Sequence, residues 1–428
     1  MMKHYNSYKE SGIEWIGDIP SHWDVKKLKF VSRVFSGSTP KENSEYWDGD
    51  IPWITPSDIG KIKNSVFIDD TSRKITEFGL DSCGCRLIPS YSVVLTNRGP
   101  IGNVIIPTMD FTTNQGCKSI ITTEYNYLML YYFLSISNGV LNSMGQGTTF
   151  LELSTSSLKD FILPTPPISE QEQIVSYLDD KTTKIDELIQ KKLRKIDLLK
   201  EYRTSLINTV VTKGLNPNVP MKKSGIEWIG EIPSHWEVIK LKYLFRIVKL
   251  ISGKLGFDIL SVTQSGVKIK DISQNEGQIS MDYSKYQIVY PGQFVMNHMD
   301  LLTGFVDISK YDGVTSPDYR VFESYSEKVN NSYSLNIFQQ CYRNRIFYRL
   351  GNGVSNLGRW RLSSQEFLDF VLPLPPISEQ EQIVSYLDEK TSQIDKTIDI
   401  EKKKIELLKE YRQSLISNVV TGKIKVTE

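Results

Sequence analysis

The sequence LPTPPISEQEQIVSYLDDKTTKID, which begins at Leu163, decides the fold because it returns almost unchanged as LPLPPISEQEQIVSYLDEKTSQID from Leu372. A second segment behaves in the same way, since SGIEWIGDIPSHWDVKKLKF from Ser11 returns as SGIEWIGEIPSHWEVIKLKY from Ser224. The copies lie about 210 residues apart. A solenoid unit is only about 20 to 45 residues long, so each copy must be a whole domain together with its connector.

The similarity between the two copies is uneven. A third segment, LLKEYRTSLINTVVT from Leu198, returns as LLKEYRQSLISNVVT from Leu407, whereas the interiors, roughly 31–160 and 244–369, share little. We call the repeated edge segments the frame. Drift after a duplication would blur the frame as well as the interiors, so we interpret the pattern as one scaffold that presents two different binding surfaces.

Each repeat contains a segment typical of one long helix. The first runs from Ser169 to about Thr212, between a proline-rich stretch and Gly214, and the second runs from Ser378 to about Thr421. The sequence SEQE predicts a capping box, with Ser169 as N-cap and Glu172 three residues further on.

The two helical segments are amphipathic, with apolar residues at helical spacing and polar residues between them. The apolar positions are Ile174, Leu178, Ile185, Leu188, Ile196, Leu199, Tyr202, Leu206 and Val210 in the first copy, and Ile383, Leu387, Ile394, Ile398, Ile405, Leu408, Tyr411, Leu415 and Val419 in the second. At 1.5 Å per residue each helix would be about 60 Å long. Because such a helix needs a partner, we expect the two to pack on each other as an antiparallel coiled coil.

The interiors are predicted to be mixed α/β. Runs such as YSVVLTNRG from Tyr91, GNVIIP from Gly102 and KSIITT from Lys118 are typical of strands. YNYLMLYYFLSI from Tyr125 and SYSLNIFQQCYRNRIFYRL from Ser332 each predict a single helix. The predicted domains are 1–163, a first long helix over 164–213, a second domain over 214–372, and a second long helix with its tail over 373–428.

Composition excludes several classes of protein. Lys and Arg number 51 against 50 Asp and Glu, so overall charge does not indicate a nucleic-acid binder and any such claim must rest on local distribution. Four irregularly spaced cysteines (Cys83, Cys85, Cys117 and Cys341) predict reduced thiols and not a disulfide framework or a metal site. No apolar run of about 18 residues occurs, and the expected location is the cytoplasm.

The order of these segments carries a family resemblance. GIEWIGDIPSHW, an α/β block, LPTPPISEQEQI, a long helix, and then the whole set again resembles the specificity subunit of type I restriction-modification enzymes across almost the entire chain. The first interior contains FSGSTPKENSEYWDGDIPWITPSDI, LTNRGPIGNV and TNQGCKSI, which look like one type of target-recognition domain. The second contains ILSVTQSGV, YPGQFVMNHMD and GVTSPDYRVF, which look like another type.

The resemblance implies a division of labour. The specificity subunit would be non-catalytic and would bind double-stranded DNA at an asymmetric bipartite target, with one half-site for each target-recognition domain. Its long helices would hold two methyltransferase (modification) subunits, and restriction motor-nuclease subunits could join them. This chain would bind no cofactor, because S-adenosylmethionine, ATP and Mg²⁺ are expected on the partner subunits.

The chain has no motif that predicts chemistry of its own. SPDY from Ser316 lacks the second proline of an amino-methyltransferase motif, and no GxxxxGK[ST] phosphate-binding loop occurs. Glu401 and Lys403 have nuclease-like spacing, but they fall on a predicted solvated helix face. His22 and His235 occupy equivalent points of the frame, which favours a packing role. We therefore predict no catalytic residue and no metal site.

Residues that could contact DNA are small polar and basic groups in the loops of the interiors. In the first interior they are Ser36, Ser38, Thr39, Lys41, Thr55, Ser57, Asn97, Arg98, Asn114, Gln115, Lys118, Gln146, Thr148 and Thr149. In the second they are Thr263, Gln264, Ser265, Lys268, Asn297, His298, Thr315, Ser316, Tyr319, Arg320, Asn356, Arg359 and Arg361. Arg343, Arg345, Arg349, Arg359 and Arg361 form the densest basic cluster, and turn chemistry is the alternative explanation for many of the Ser, Thr and Asn residues.

Two other functions compete with this hypothesis. A coiled-coil scaffold or regulator that does not read DNA sequence should have interchangeable halves, whereas these halves share a frame and differ inside. A single-chain restriction enzyme is disfavoured by the missing motifs.

Overall fold

The computed structural model describes residues 4–62, 65–147, 151–271, 283–351 and 360–426. The chain forms two compact units. Unit 1 comprises Met1–Leu193 with Lys402–Glu428, and unit 2 comprises Arg194–Glu401. Each unit therefore contains one frame, one interior and a part of each long helix, and the predicted mixed α/β fold is confirmed.

Unit 1 is built from short strands and helices that precede the first long helix. Its strands are β1 (Tyr8–Glu10), β2 (Asp18–Pro20), β3 (Asp24–Lys27), β4 (Ser32–Ser36), β5 (Trp47–Ile54), β6 (Phe67–Ile68), β7 (Lys74–Ile75), β8 (Val93–Thr96), β9 (Val104–Pro107), β10 (Thr112–Thr113), β11 (Cys117–Thr122) and β12 (Ile162–Thr165). Its helices are α1 (Pro56–Lys61), α2 (Glu77–Asp81), α3 (Tyr127–Ile136), α4 (Asn138–Ser143), α5 (Thr155–Lys159) and the first part of α6 (Ile168–Lys213).

A five-stranded sheet in the order β4-β11-β8-β9-β6 forms the centre of unit 1, and a three-stranded sheet β10-β5-β7 lies beside it. The predicted strands within 91–99, 102–107 and 118–123 correspond to β8, β9 and β11, and the predicted helix from Tyr125 corresponds to α3. All four residues of β8 are buried, as expected for the centre of a sheet covered on both faces. The frame contributes the β3–β12 pair, which joins the start of the interior to its end.

Unit 2 repeats the frame but not the interior. Its strands are β13 (Met221–Lys223), β14 (Glu231–Pro233), β15 (Glu237–Lys240), β16 (Phe245–Val248), β17 (Leu260–Thr263), β18 (Gly266–Ile269), β19 (Gln287–Val289), β20 (Phe294–Met296), β21 (Val306–Ile308), β22 (Gly313–Thr315), β23 (Arg320–Ser324) and β24 (Val371–Leu374). Its helices are α7 (Asn331–Arg343), α8 (Ile346–Arg349), α9 (Ser364–Asp369) and the first part of α10 (Ile377–Val420).

The central sheet of unit 2 is antiparallel, in the order β16-β23-β20-β21. An aromatic cluster packs on it, in which the rings of Phe294 and Phe322 are stacked 4.8 Å apart and Phe338 of α7 lies against both. The prediction of a single helix from Ser332 is wrong, because the helix is interrupted between α7 and α8. Arg345 there adopts a left-handed backbone conformation with φ 56°, which ends a right-handed helix.

The two long helices are continuous over Ile168–Lys213 and Ile377–Val420, close to the predicted limits. In unit 2 their segments run antiparallel, because Lys195 pairs with Glu401 while Arg203, further along α6, pairs with the earlier residue Asp395. The Arg203–Asp395 pair has its repeat equivalent in unit 1, where Arg412 Nε lies 3.0 Å from Asp186. Both ion pairs are consistent with the predicted antiparallel packing of these helices.

The predicted apolar stripe is only partly buried. Its first and last residues, such as Ile174 and Val210, lie in the cores. Tyr202 and Tyr411, however, are 56% and 49% exposed, and Leu188 is 43% exposed. The interpretation of these three side chains as packing residues was wrong.

Glu401, predicted on a solvated face, is instead 4% exposed and bonded to Lys195.

The predicted capping box at the start of α6 is also wrong. The helix begins at Ile168, the carbonyl of Pro167 accepts the backbone N–H of Gln171, and Ser169 is an exposed residue of the first turn. Pro167 is therefore the N-cap residue, because its carbonyl accepts the first helical hydrogen bond.

Glu170, in the first turn of α6, joins the helix to the frame of unit 1. Its carboxylate accepts hydrogen bonds from the Tyr5 hydroxyl at 2.6 Å and from Trp23 Nε1 at 3.1 Å, and lies 2.8 Å from His22 Nε2. We call these four residues the glutamate cluster. The His22 side chain is half-exposed and hydrogen-bonds to Glu170. The packing role predicted from its frame position is therefore a polar contact and not apolar packing.

The frame of unit 2 repeats the glutamate cluster, without an equivalent of the Tyr5 hydrogen bond among the described residues. Glu379 accepts from Trp236 Nε1 at 3.1 Å and lies 2.8 Å from His235 Nε2. In both units the next residue, a buried glutamine, binds the interior. Gln171 Oε1 accepts the backbone N–H of Asn126, just before α3, and Gln380 repeats this contact before α7.

Glycines end both long helices against the same tryptophans. Gly214 and Gly422 have φ angles of +76° and +75°, which favour glycine. A Cβ at Gly422 would lie 2.3 Å from Pro20 Cδ and 3.2 Å from Trp23. In each unit, therefore, one tryptophan of the frame contacts the start of one long helix and the end of the other.

Candidate nucleic-acid interface

The predicted DNA-contacting loops of unit 1 converge at one end of its sheets. The backbone N–H of Ser38 donates to the Thr113 carbonyl at 2.9 Å, and that of Asn114 donates to the Ile54 carbonyl at 3.0 Å. The N–H of Asn97 donates to the Gly116 carbonyl at 3.0 Å. These bonds bring together loops that are far apart in sequence, and we call the resulting surface the unit 1 loop surface.

Most of the predicted residues in unit 1 are accessible on or near this surface. Ser36, Thr39, Lys41, Ser57, Gln115 and Gln146 are exposed, and Ser38, Thr55, Arg98 and Asn114 are half-buried. Thr39 is hydrogen-bonded to Gln115 across two loops. Thr55 caps α1 in a capping box with Asp58, which gives it a structural role. Thr148 and Thr149 lie outside the described residues.

Two predicted residues of unit 1 are buried. Asn97 is 0% exposed and donates to Glu152 Oε1 at 2.9 Å. Lys118 is 5% exposed, and its Nζ donates to Ser36 Oγ at 3.0 Å. Burial lowers the pKa of Lys118, since the charged form loses hydration. Both side chains hold the loops together and are too buried to contact DNA in this structure.

The predicted residues of unit 2 have a similar range of exposure. Gln264, Ser265, Lys268 and Arg361 are exposed, and Thr263, Asn297, His298, Ser316 and Tyr319 are half-buried. Gln264 and Ser265 form the turn between β17 and β18. Asn356 and Arg359 lie outside the part of the chain that the structure describes.

Thr315 and Arg320 are core residues of unit 2. Thr315 is 0% exposed and donates to the Leu260 carbonyl at 3.1 Å. Arg320 is 3% exposed, donates to the Leu362 carbonyl at 2.8 Å and lies over the Phe367 ring at 4.7 Å. Burial lowers the pKa of Arg320 to about 10. Neither side chain is available to DNA in this structure.

Arg343 and Arg361, two described members of the basic cluster, lie beside different neighbours. Arg343 lies 5.6 Å from the Phe305 ring and near the charges of Arg203 and Asp395 on the long helices. Arg361 instead lies near His298. The described members Arg343, Arg345, Arg349 and Arg361 are all exposed, and the position of Arg361 beside His298 places it next to another candidate DNA contact.

His298 is an uncharged hydrogen-bonding group at neutral pH. Burial, together with the nearby charges of Arg320 and Arg361, lowers its pKa to about 4. Its Nδ1 is buried and has no hydrogen-bond partner among the described residues. A neutral imidazole contributes no charge to this surface, and the buried Nδ1 is not accessible to a ligand in this structure.

The described parts of the chain contain no group of three or more His, Cys, Asp or Glu side chains that could hold a metal ion. Over the same residues, no helix has the length and apolar character needed to cross a membrane.

Sequence reasoning missed the residues that position these surfaces. Glu170, Gln171 and their equivalents Glu379 and Gln380 connect the long helices to the frame and to the interiors. The available signal was the exact repetition of SEQEQ in both copies, but its acidic and amide residues were interpreted as a local cap. It also missed Tyr286 and Asp318, which line a cavity beside the predicted residues Asn297, Ser316 and Tyr319.

The fold and these surfaces define a duplicated recognition protein in which one repeated frame carries two different polar surfaces. The description "Type I restriction modification DNA specificity domain" belongs to the family model that matches residues 20–198 and 233–410, and the chain belongs to this family. The family is that of the DNA specificity subunits of restriction-modification systems.

Individual relatives agree with this assignment. The chain is 36% identical over 246 residues to the type I restriction enzyme MjaIX specificity subunit of Methanocaldococcus jannaschii, in an alignment that covers 56% of this chain and 54% of that protein. It therefore spans about half the length of that relative. It is 27% identical over 434 residues to the MjaVIII specificity subunit of the same organism, which covers 95% and 94% of the two chains.

Two solved structures share the fold. One comes from a study of complex assembly and conformational transition of the type I R-M system, with a TM-score of 0.69 and 15% identity over 94% of this chain and 98% of that chain. The other is the HsdS subunit from Thermoanaerobacter tengcongensis, with a TM-score of 0.56 and 16% identity over 95% and 98%.

Proposed function

We propose that the chain is the non-catalytic subunit that selects the DNA target of a type I restriction-modification complex, with one half-site read by each unit. One observation carries this proposal. The frames of the two units repeat their contacts almost bond for bond, at Glu170 and Glu379, whereas the interiors differ in sheet order and loop chemistry. Two different polar surfaces on one repeated frame would bind two different half-sites, which together make an asymmetric bipartite target.

Reconstitution tests the proposed function. The purified chain mixed with DNA and labelled S-adenosylmethionine is expected to transfer no methyl group, whereas addition of the methyltransferase subunit from the same locus should give adenine methylation at one bipartite sequence. Mapping methylated adenines in the host genome with and without this gene gives the sequence. Methyl transfer by the chain alone, or an unchanged methylation map without the gene, would contradict the proposal.

Arg361 is the basic residue of unit 2 whose removal should weaken DNA binding. In the assembled methyltransferase, we expect Arg361→Ala to cost about 1 to 3 kcal/mol of binding free energy if the guanidinium contacts a base, or to reduce the salt slope by about one if it contacts a phosphate. Titrations at several salt concentrations measure both quantities. Lys191→Ala is the control, because Lys191 is a highly exposed cation of a long helix. Equal behaviour of the two variants would remove Arg361 from the interface.

Two equivalent apolar patches on the long helices suit two copies of one partner. Leu198 and Tyr202 of α6 are 47% and 56% exposed, and Leu407 and Tyr411 of α10 are 54% and 49% exposed. A spacing of four residues places each pair on one helix face. We propose that each patch binds one methyltransferase subunit, because a surface present twice predicts a partner bound twice.

Removing one patch should remove one partner. We expect Leu198→Glu with Tyr202→Glu to weaken binding of one methyltransferase subunit by about thirtyfold, which corresponds to the loss of about 2 kcal/mol typical of a hot-spot side chain. Native mass spectrometry should then show one bound subunit where the unaltered chain binds two. The equivalent pair at 407 and 411 should behave alike, and all four substitutions together should prevent assembly. Retention of two subunits in the fourfold variant would exclude these patches.

A further inference from the structure

A cavity of about 380 Å³ opens in the interior of unit 2. Its wall contains the aromatic side chains of Tyr283, Tyr286 and Tyr319, and its polar lining includes Asn297 and Asp318. The rings of Tyr283 and Tyr286 meet edge to face, with centroids 4.9 Å apart. The lining includes three residues predicted from the sequence as DNA contacts, namely Asn297, Ser316 and Tyr319.

Hydrogen bonds hold the walls of this cavity in place. The buried Gln287 donates its amide Nε2 to the carbonyls of Ser316 and Tyr319, at 2.8 and 2.6 Å. The backbone N–H of Tyr286 donates to the Tyr283 carbonyl at 3.0 Å, and Asn297 O accepts from the Tyr342 hydroxyl at 2.8 Å. A cavity with such walls is formed before a ligand arrives, as is usual for binding sites.

Several polar groups in the cavity have unused hydrogen-bonding capacity. The Tyr283 hydroxyl is buried and has no partner within the described residues. Asn297 Oδ1 accepts the backbone N–H of Met299 at 3.3 Å, which leaves the Asn297 Nδ2 group as a donor. The backbone N–H of Asp318 donates to Ser316 Oγ at 3.2 Å, and no hydrogen bond from a described residue reaches its carboxylate, which is therefore an acceptor toward a ligand.

These groups match the chemistry of a nucleobase. Aromatic rings stack on the flat faces of a base, a carboxylate accepts from an exocyclic amine such as cytosine N4 or adenine N6, and an asparagine amide recognises adenine. Duplex stacking covers both faces of a base, so tyrosine rings can stack only on a base that has left the stack.

We propose that this cavity receives one nucleobase with an exocyclic amino group, adenine or cytosine, extruded from the half-site that unit 2 reads. This inference rests on the proposed function and adds to it a base-binding site in the specificity subunit itself. Asp318 accepts from the exocyclic amine, and Tyr286 supplies a stacking surface. The base is bound without chemical change.

The experiment uses the reconstituted methyltransferase and duplexes of its mapped target. An abasic site is placed opposite each base of the unit 2 half-site in turn, because a base without a partner costs less to extrude. We expect affinity to rise about tenfold at one adenine or cytosine that is not methylated. Tyr286→Ala should abolish this rise, and Asp318→Asn should reduce it severalfold. Tyr290→Ala is the matched control, because Tyr290 is 49% exposed and outside the cavity lining.

The outcomes separate this site from the proposed function. Sequence-specific binding of the unmodified duplex tests the proposed function. It should be unchanged in Tyr290→Ala, and in Tyr286→Ala and Asp318→Asn it should be weaker but keep its preference for the same target. No affinity rise at any unmethylated position of the half-site would overturn the base-binding site while leaving the proposed function intact. A rise that survives both Tyr286→Ala and Asp318→Asn would show that the extruded base binds elsewhere, and would overturn it too.

Discussion

Replacing Glu170 with alanine is expected to lower the free energy of unfolding of unit 1 by about 3 to 5 kcal/mol, because the substitution removes a buried charged acceptor from its hydrogen-bond donors. The donors left behind are the Tyr5 hydroxyl and Trp23 Nε1, in side chains 9% and 0% exposed. His22 loses its partner as well. Urea titration followed by tryptophan fluorescence measures the change, since Trp23 itself belongs to the cluster.

The two units offer a matched comparison for this substitution. Among the described residues, two side chains hydrogen-bond to Glu379 and three to Glu170, and the Glu379 side chain is 23% exposed against 10% for Glu170. We therefore expect Glu379→Ala to cost about 2 kcal/mol. Glu172→Ala, at an exposed position of the same helix, should change stability by under about 0.5 kcal/mol. An effect at Glu172 as large as that at Glu170 would restore the capping-box interpretation and refute the cluster.

This contrast shows what the sequence could and could not predict. The repeat predicted the limits of α6 and α10 and their mutual packing, because helix signals are local and periodic. The partners of Glu170 are 147 and more residues distant in sequence, and periodicity carries no information about which distant donors a carboxylate will meet. The exact repetition of SEQEQ was therefore read as a local capping box, and neither Glu170 nor its partners were predicted.

The candidate DNA contacts show a second limit. Loop residues such as Gln115 and Gln264 are exposed as predicted, because turns lie at the surface. Arg320 was selected for its guanidinium, yet the alternation of β23 directs it into the core, where Phe367 and the Leu362 carbonyl receive it. Conversely, Tyr202 and Tyr411 fit the helical stripe but are exposed, since a stripe does not reveal how much of it the partner helix covers.

The second large effect concerns helix length, which we propose sets the spacer between the two half-sites. The paired residues define where a length change should be made. Within unit 1, Asp186 of α6 pairs with Arg412 of α10. Within unit 2, Lys195 pairs with Glu401. Four residues inserted after Lys191 in α6 alone would leave α10 unable to keep both pairs, so that variant should lose stability.

A matched insertion, with four residues after Lys191 and four after Glu406, keeps both pairs and lengthens both helices. It adds about 6 Å, and four residues make roughly one turn, so the facing of each helix is approximately preserved. Since base pairs rise about 3.4 Å each, we expect the spacer to lengthen by one or two base pairs while both half-sites stay the same.

Methylation of the original target by the matched variant should fall by about a hundredfold or more. One half-site would then be out of register, and each mismatched base pair costs about 1 to 3 kcal/mol. Genome-wide methylation mapping of the double-insertion variant measures the new spacer and both half-sites together, and the single insertion is its control. An active double-insertion variant with the old spacer, or with altered half-sites, would mean that the spacing is determined by contacts within the units and not by the length of α6 and α10.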